Sequence, residues 1–257
     1  MKIPKKHHFL SYFVLIIFVL GISSCTLRNP LKKGDKENIE INNLSASDTS
    51  ISNMITPYKD ELAIAMGEVL NVSEVNLVKG RPESNLGNFV ADLSYSVCST
   101  IYYNNNNEDI DFCLLNEGGL RASIAKGPIT LGNVFELMPF ENEMVIITLD
   151  YDHIIELFNY LMISGGEPIS KASLLIVNNK IETILINGSI PEPDRVYKVL
   201  TTDYLARGGD KMNFFLDPVK EEKIGIKLRD AIILYLKEEA IKGNTINAEI
   251  EGRIRYE

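Results

Sequence analysis

One short segment has the residue types needed to hold an anionic ligand. In Asn116–Arg121, two adjacent glycines, Gly118 and Gly119, follow an apolar run and precede a basic residue. Glycines allow the backbone to approach a ligand closely, an asparagine amide both donates and accepts, and a guanidinium offers a planar fork to phosphate. Asn116 and Arg121 are therefore candidate binding residues, although an ordinary strand-to-helix turn has the same composition.

Two further loops present aromatic rings beside turn residues. Tyr204 precedes Asp210 by six positions, with Gly208 and Gly209 between them, and Phe140 follows a proline at the end of a predicted helix. Such rings can stack on a planar ligand, and a carboxylate can accept hydroxyl donors. Core positions for both rings and a helix-capping role for Asp210 are equally open alternatives.

Signals for catalysis by this chain are weak. The three histidines are His7, His8 and His153, and the first two lie in the basic start of the N-terminal leader described below. Hydrolytic metal sites usually need several imidazoles or a dense carboxylate cluster. The chain also lacks C-x-x-C, G-x-S-x-G and P-loop motifs. The sequence therefore predicts no catalytic residue, no metal ligand and no cofactor of its own.

Composition and charge narrow the classes of partner. With 45% hydrophobic and 24% charged residues, the 257-residue chain has the composition of a globular protein. Its formal net charge is -9; without residues 1–25, which hold Lys2, Lys5, Lys6 and no acid, it is 23 basic minus 35 acidic residues, or -12. This charge disfavours DNA and RNA, which are bound largely through phosphate neutralisation, but it is compatible with a small anion held by a local arginine.

The N-terminus has the layout of an export signal. A basic start is followed by the apolar run 9–20 and by the sequence Ile22-Ser23-Ser24-Cys25. The run is short for a bilayer span, and the ending resembles the lipobox of bacterial lipoproteins. We predict a lipoprotein signal peptide over 1–25, lipidation at Cys25 and a flexible tether over 26–52. The alternative is an uncleaved anchor helix. Either way, the protein is expected at the cell envelope, membrane-anchored on the periplasmic or surface side.

Residues 53–257 are predicted to form a mixed α/β domain of the α+β type, with layered mixed sheets flanked by helices. Apolar spacing predicts helices over 53–68, from Ser84 or Asn85, and over 131–137, 151–162 and 226–240. Strands are predicted at 71–78, 111–115, 144–149, 174–177, 181–186, 197–202 and 248–256, with Asn104–Asn107 as a surface loop. Cys98 and Cys113 are expected as separate buried thiols, with a disulfide as the alternative.

The three candidate loops occur in an order that resembles the C-terminal, substrate-binding domain of 5'-nucleotidases. The string Glu83-Ser84-Asn85-Leu86-Gly87-Asn88 matches the start of the family's first helix. The asparagine-glycine-glycine-arginine turn at 116–121, the proline-phenylalanine turn at 139–140 and the aromatic-to-aspartate loop at 204–210 follow in sequence. Glu251-Gly252-Arg253-Ile254 also fits. The resemblance covers roughly 51–257.

This resemblance implies specific roles for the candidate residues. Phe140 and Tyr204 would sandwich a nucleobase, Asn116 and Arg121 would bind base and phosphate or ribose, and Asp210 would hold ribose hydroxyls. Position 204 is Tyr where the family commonly has Phe, and the stretch 165–173 differs from the family pattern. A further family arginine has no counterpart at the same offset, and Arg81 is the nearest candidate. The implied substrate-binding set is Arg81, Asn116, Gly118, Gly119, Arg121, Phe140, Tyr204 and Asp210.

Full-length members of this family carry an N-terminal metallophosphatase domain with two metals, and here a predicted leader and tether stand in that place. Three functions therefore compete. The chain could be the nucleotide-binding component of a phosphohydrolase whose divalent metals lie on a separate metallophosphatase-domain protein. It could instead be a non-catalytic lipoprotein that captures a nucleotide or nucleoside. In the third, it is a scaffold whose pocket has been lost and whose aromatic rings are buried.

Overall fold

The computed structural model describes residues 48–257, which contain both helices and strands. The helices are α1 Thr49–Met66, α2 Asn85–Asn106, α3 Leu131–Leu137, α4 Tyr151–Ser164, α5 Asp203–Ala206 and α6 Leu228–Ile241. The strands are β1 Val69–Ser73, β2 Phe112–Leu114, β3 Gly127–Thr130, β4 Glu143–Leu149, β5 Ile169–Ser170, β6 Ala172–Val177, β7 Lys180–Ile186, β8 Tyr197–Thr202, β9 Lys220–Lys227 and β10 Ile254–Tyr256. Short 3-10 turns cover Glu117–Gly119, Gly209–Lys211 and Asn213–Phe215.

A five-stranded mixed sheet forms the centre of the structure, with the strand order β5-β2-β8-β4-β9. Strand β2 is parallel to β8, whereas β4 is antiparallel to both of its neighbours, β8 and β9. A three-stranded sheet, β10-β6-β7, and a two-stranded sheet, β1-β3, complete the set. Asn53–Glu257 form one compact unit. The predicted mixed α/β fold with layered sheets flanked by helices is confirmed.

Both faces of the five-stranded sheet are covered by apolar side chains. Along β4, Met144 and Ile146 join one core cluster, whereas Val145 and Ile147 join the other. This alternation follows from the two-residue period of a strand. The first cluster includes side chains of α2, α3 and α6, and the second includes those of α4 and of the three-stranded sheet. Strand β4 is therefore buried on both sides, which explains its continuous apolar run.

The bounds of α1 and α2 differ from the predictions because capping residues set where these helices begin and end. Helix α1 begins at Thr49 and takes in the end of the predicted tether, because the Asp48 carboxylate accepts from the backbone N–H of Ser50 at 2.8 Å. Helix α2 continues to Asn106, so the predicted asparagine surface loop is wrong for most of its length. Asn107 ends the helix in a left-handed conformation with φ 55°, as a C-terminal cap requires.

Strand β9 was missed, and the predicted strands 71–78 and 248–256 are shorter in the structure. Only Ile224 of β9 is buried, and the strand lies at an edge of the five-stranded sheet, so its sequence has a weak apolar alternation. Charged residues are typical of edge strands, where they discourage pairing with another chain. At 248–256 only Ile254–Tyr256 pairs, in parallel with β6.

Predictions for the N-terminal segment fall mostly outside the described residues. The signal peptide, Cys25 and the tether up to residue 47 lie before the first described position. Within residues 48–257, no helix combines the length and apolar character needed to cross a bilayer. No side chain of α1 is buried, although it carries the apolar residues Met54, Tyr58 and Leu62.

Cys98 on α2 and Cys113 on β2 are both buried and unbonded to each other. Burial raises the pKa of Cys98 to about 12 and that of Cys113 well above its usual range. Since the thiolate is the reactive form, neither group should be alkylated in the folded protein.

In a Cys25→Ser variant we expect no labelling by iodoacetamide under native conditions and two labels per chain in denaturant, measured by intact mass. Two results would contradict this expectation. One is a mass two daltons lower that returns to the expected value on reduction, which would indicate a disulfide, and the other is rapid labelling under native conditions.

Candidate nucleotide-binding site

The three candidate loops meet because they join three neighbouring strands, β2, β8 and β4, at the same end of the sheet. Since β2 and β8 are parallel, the residues that follow them, from Asn116 and from Asp203, emerge on the same side. Strand β4 runs the other way, so the segment that precedes it, with Phe140, lies there too. The loops are also bonded to each other: the backbone N–H of Glu143 donates to Asp203 at 3.1 Å, and that of Arg121 to the Leu137 carbonyl at 2.8 Å.

A cavity of about 350 Å³ lies between these loops. That volume is within the range of small-molecule pockets. Phe140 is 42% exposed and Tyr204 45% exposed, so neither ring is a core residue as the scaffold hypothesis requires. Of the predicted set, the structure places these residues around the cavity: Asn116, Gly118, Gly119, Arg121, Phe140, Tyr204 and Asp210.

Asp210 is held by hydrogen bonds from two of the three loops and from α4. Its carboxylate accepts from the Asn116 amide at 2.5 Å and from the Tyr204 hydroxyl at 2.8 Å, and its carbonyl accepts from Tyr160 at 3.0 Å. The bond to the Asp210 carboxylate raises the pKa of Tyr204. Asp210 also has φ 52°, a left-handed conformation that costs a non-glycine residue energy and is common at functional sites.

Two glycines of the site are required by close contacts. A Cβ at Gly209 would lie 2.5 Å from the Tyr204 ring and 2.6 Å from the Tyr204 carbonyl oxygen. A Cβ at Gly119 would lie 2.7 Å from the Asn116 side-chain oxygen, whereas one at Gly118 would meet nothing nearer than 3.7 Å. Gly209 and Gly119 therefore provide the space in which a ring and an amide of the cavity lie.

Arg81 does not line the cavity. Its guanidinium donates to the Glu167 carboxylate at 2.7 Å and to the carbonyls of Ser164 and Gly166 at 2.6 and 2.5 Å. Glu167 in turn accepts from the backbone N–H of Glu117 at 2.7 Å. Arg81 thus stabilises the glycine turn indirectly, through Glu167. A contact between Arg81 and a ligand stays a prediction.

Glu167 is a buried carboxylate that the sequence analysis did not identify. Burial raises its pKa, against the opposing effect of the Glu117 N–H and of Arg81. It lies in the stretch 165–173 that departs from the family pattern, and this departure was the available signal. Asn142 lines the cavity and was also missed. Its position two residues after Phe140, in the link to β4, gave no separate signal.

The charge of the cavity wall is balanced between one cation and one anion. Arg121 is exposed, and its guanidinium donates to the Gly118 carbonyl at 3.2 Å. Among the described residues, Asp210 forms no ion pair, and the side chains that donate to its carboxylate, Asn116 and Tyr204, are uncharged. The site therefore offers a guanidinium, which can bind an anion, and a carboxylate, which can accept hydroxyl donors, as separate features.

A larger open depression of about 780 Å³ lies beside α2 and the three-stranded sheet. Its charged groups already bind each other: Arg253 pairs with Asp92 at 2.6 Å and with Glu251 at 2.9 Å, and Lys171 lies over the Tyr95 ring. We therefore place the candidate site at the smaller cavity. Across residues 48–257, His, Cys, Asp and Glu form no group of three or more arranged to hold a metal ion.

Comparison with known proteins identifies the family of this chain. The family model described as "5'-nucleotidase, C-terminal domain" matches residues 65–217, which is more than half of the chain. The chain belongs to the 5'-nucleotidase C-terminal domain family. The matched range includes the three loops around the cavity, from Asn116 to Asp210.

Individual relatives are longer than this chain. It is 28% identical over 197 residues to an apyrase from Tabanus yao, covering 67% of this chain and 34% of the relative. It is 27% identical over 199 residues to the cell wall protein Lmo0130 of Listeria monocytogenes, covering 68% of this chain and 24% of that relative. The crystal structure of a 5'-nucleotidase precursor from Thermus thermophilus matches with a TM-score of 0.66 and 26% identity, covering 82% of this chain and 43% of that one.

The glycine contacts make a direct prediction for stability. Gly209→Ala forces the Tyr204 backbone or ring to move, and we expect a loss of about 1–3 kcal/mol in the free energy of unfolding, typical of overpacking. Gly118→Ala, at a neighbouring wall of the same cavity, is the matched control and should change stability by less than about 0.5 kcal/mol. Urea unfolding followed by circular dichroism measures both. Equal stability of the two variants would contradict the steric role of Gly209.

Proposed function

We propose that this protein is the nucleotide-binding component of a 5'-nucleotidase-type phosphohydrolase and takes part in extracytoplasmic nucleotide breakdown. The observation that carries the proposal is the cavity itself, into which two exposed aromatic rings, one arginine and one aspartate converge from three loops. Membership of the family supports it independently. The chain would supply substrate specificity, and another chain would supply the two-metal catalytic half.

Binding would divide between stacking and polar contacts. The rings of Phe140 and Tyr204 hold a nucleobase, and base–aromatic stacking contributes about 1–3 kcal/mol per base. The Arg121 guanidinium is a fork for phosphate oxygens or the ribose. The Asp210 carboxylate accepts the ribose hydroxyls, while Asn116 contacts the base or the sugar. Gly118 and Gly119 let the backbone approach the ligand.

The catalytic half is proposed on a separate metallophosphatase-domain protein that binds the divalent metals. Two metal ions stabilise the attacking and leaving oxygens of a phosphoryl transfer. This chain spans 24–34% of the two curated relatives and 43% of the solved relative described above. The similarity concerns the C-terminal domain of the family, and the proposed contribution of this chain is to bind and orient the nucleotide.

We also propose that the protein is held at the cell envelope by lipid at Cys25, with its folded part outside the cytoplasm. The basic and apolar leader ending at this cysteine supports the proposal. The similarity to a protein of the Listeria cell wall is consistent with an extracytoplasmic place.

The binding proposal predicts affinity for AMP and adenosine without any partner. Phe140→Ala removes one stacking face and should weaken binding by about 5- to 150-fold, the equivalent of 1–3 kcal/mol. Tyr103→Ala removes an aromatic ring of similar exposure, 50%, outside the cavity and should leave the affinity unchanged. Isothermal titration calorimetry measures all three proteins. No heat with either ligand, or an equal loss in both variants, would reject the proposal.

The enzyme-component proposal predicts that mixing restores turnover. AMP hydrolysis should appear when this protein is added to a metallophosphatase-domain protein from the same organism with Mn²⁺, and Arg121→Ala should abolish it. Lys126→Ala, which removes an exposed cation outside the cavity, is the control and should retain activity. Phosphate release is the readout. Binding of AMP without hydrolysis in any mixture would favour the alternative function, a non-catalytic lipoprotein that captures nucleotides or nucleosides.

A further inference from the structure

All four polar groups of Asp210 take part in hydrogen bonds. One carboxylate oxygen accepts from the Tyr204 hydroxyl at 2.8 Å and the other from the Asn116 amide at 2.5 Å. The backbone N–H donates back to the Tyr204 oxygen at 3.3 Å, and the carbonyl accepts from Tyr160 at 3.0 Å. The Tyr204 hydroxyl therefore closes a small ring with Asp210, which fixes the rotation of the carboxylate relative to the loop.

This arrangement leaves both carboxylate oxygens able to accept one more donor each. An ionised carboxylate has about four lone-pair sites, and among residues 48–257 each oxygen of Asp210 accepts one hydrogen bond. The absence of an ion pair to Asp210 within those residues leaves its charge available for donors from a ligand. Because one acceptor position remains on each oxygen, the group matches two adjacent hydroxyls better than a single one.

We propose that the Tyr204 hydroxyl is a positioning group that orients Asp210 to select ligands with a vicinal diol, such as an unmodified ribose. This inference rests on the proposed nucleotide site and deepens it. The ring of Tyr204 and its hydroxyl then have separate tasks: the ring contacts the base, and the hydroxyl acts on the sugar through Asp210.

A phenylalanine at this position would keep the stacking face but lose both hydrogen bonds. The Asp210 side chain would then be held by Asn116 alone, and its backbone N–H would lose the Tyr204 acceptor. A carboxylate held by one hydrogen bond instead of two is less restrained and must be ordered further when the diol binds, which lowers affinity. The loss should fall on ligands that carry the diol and spare those that lack it.

The test compares adenosine with 2',3'-dideoxyadenosine on the full-length protein and on Tyr204→Phe. In the wild type we expect adenosine to bind more tightly. In Tyr204→Phe the ratio of the two affinities should fall by about three- to tenfold, as for the loss of one ordinary hydrogen bond. The ratio is the measured quantity because the ring at position 204 contacts the base of both ligands, so a change in stacking affects their affinities alike. Tyr256→Phe is the matched control, because Tyr256 is similarly exposed, at 43%, and its hydroxyl donates to a carbonyl outside the cavity.

The outcomes separate this inference from the proposed function. If neither nucleoside binds the wild type, both are overturned. If both nucleosides bind and the ratio is the same in wild type and Tyr204→Phe, only the positioning role is overturned, and the same holds if Tyr204→Phe binds adenosine more tightly. A melting temperature for each variant accompanies the titration. A general loss of structure would weaken both ligands together and leave their ratio unchanged, which also counts against the role.

Discussion

The pairing of β8 with β2 on one side and with β4 on the other is the constraint on which the site depends. It brings three loops to one sheet edge although their residues are far apart in sequence; Asn116 and Asp210 are separated by 94 positions and still form a 2.5 Å hydrogen bond. Strand β4 pairs with β8 through six consecutive residues, Met144–Leu149, without a bulge, and this ladder fixes its register. A one-residue slip of β4 would exchange the side chains of its two faces and displace Phe140 relative to Tyr204.

Hydrogen bonds then fix the conformations of the loops that the sheet brings together. Glu167, which is paired with Arg81, accepts from the backbone of the glycine turn, and the loop 204–210 is held through Asp210. A left-handed residue such as Asp210 persists only when its surroundings hold it, and these hydrogen bonds restrain both loops in the absence of a ligand. A preformed cavity loses less conformational entropy on binding.

Much of the fold could be predicted from apolar periodicity, because helices such as α4 and strands such as β8 bury one regular face or a continuous run. Strand β9 could not, since its charged residues lie at a sheet edge and only Ile224 is buried. The predicted cavity residues carried their own signals, aromatic rings and glycines at fixed offsets, whereas Asn142 carried none. Glu167 had only an indirect signal, the departure of 165–173 from the family pattern, because it is 86 residues away from Arg81 and their contact follows from loop packing.

The close approach of Gly209 to Tyr204 has a consequence for how the loop can diverge. A Cβ at 209 and a ring at 204 compete for the same volume, so these two positions form a single steric unit. Relatives that enlarge residue 209 would have to reduce or reorient residue 204, and with it this wall of the cavity. The glycine thus preserves an aromatic wall that it does not itself form, and the two positions are expected to vary together.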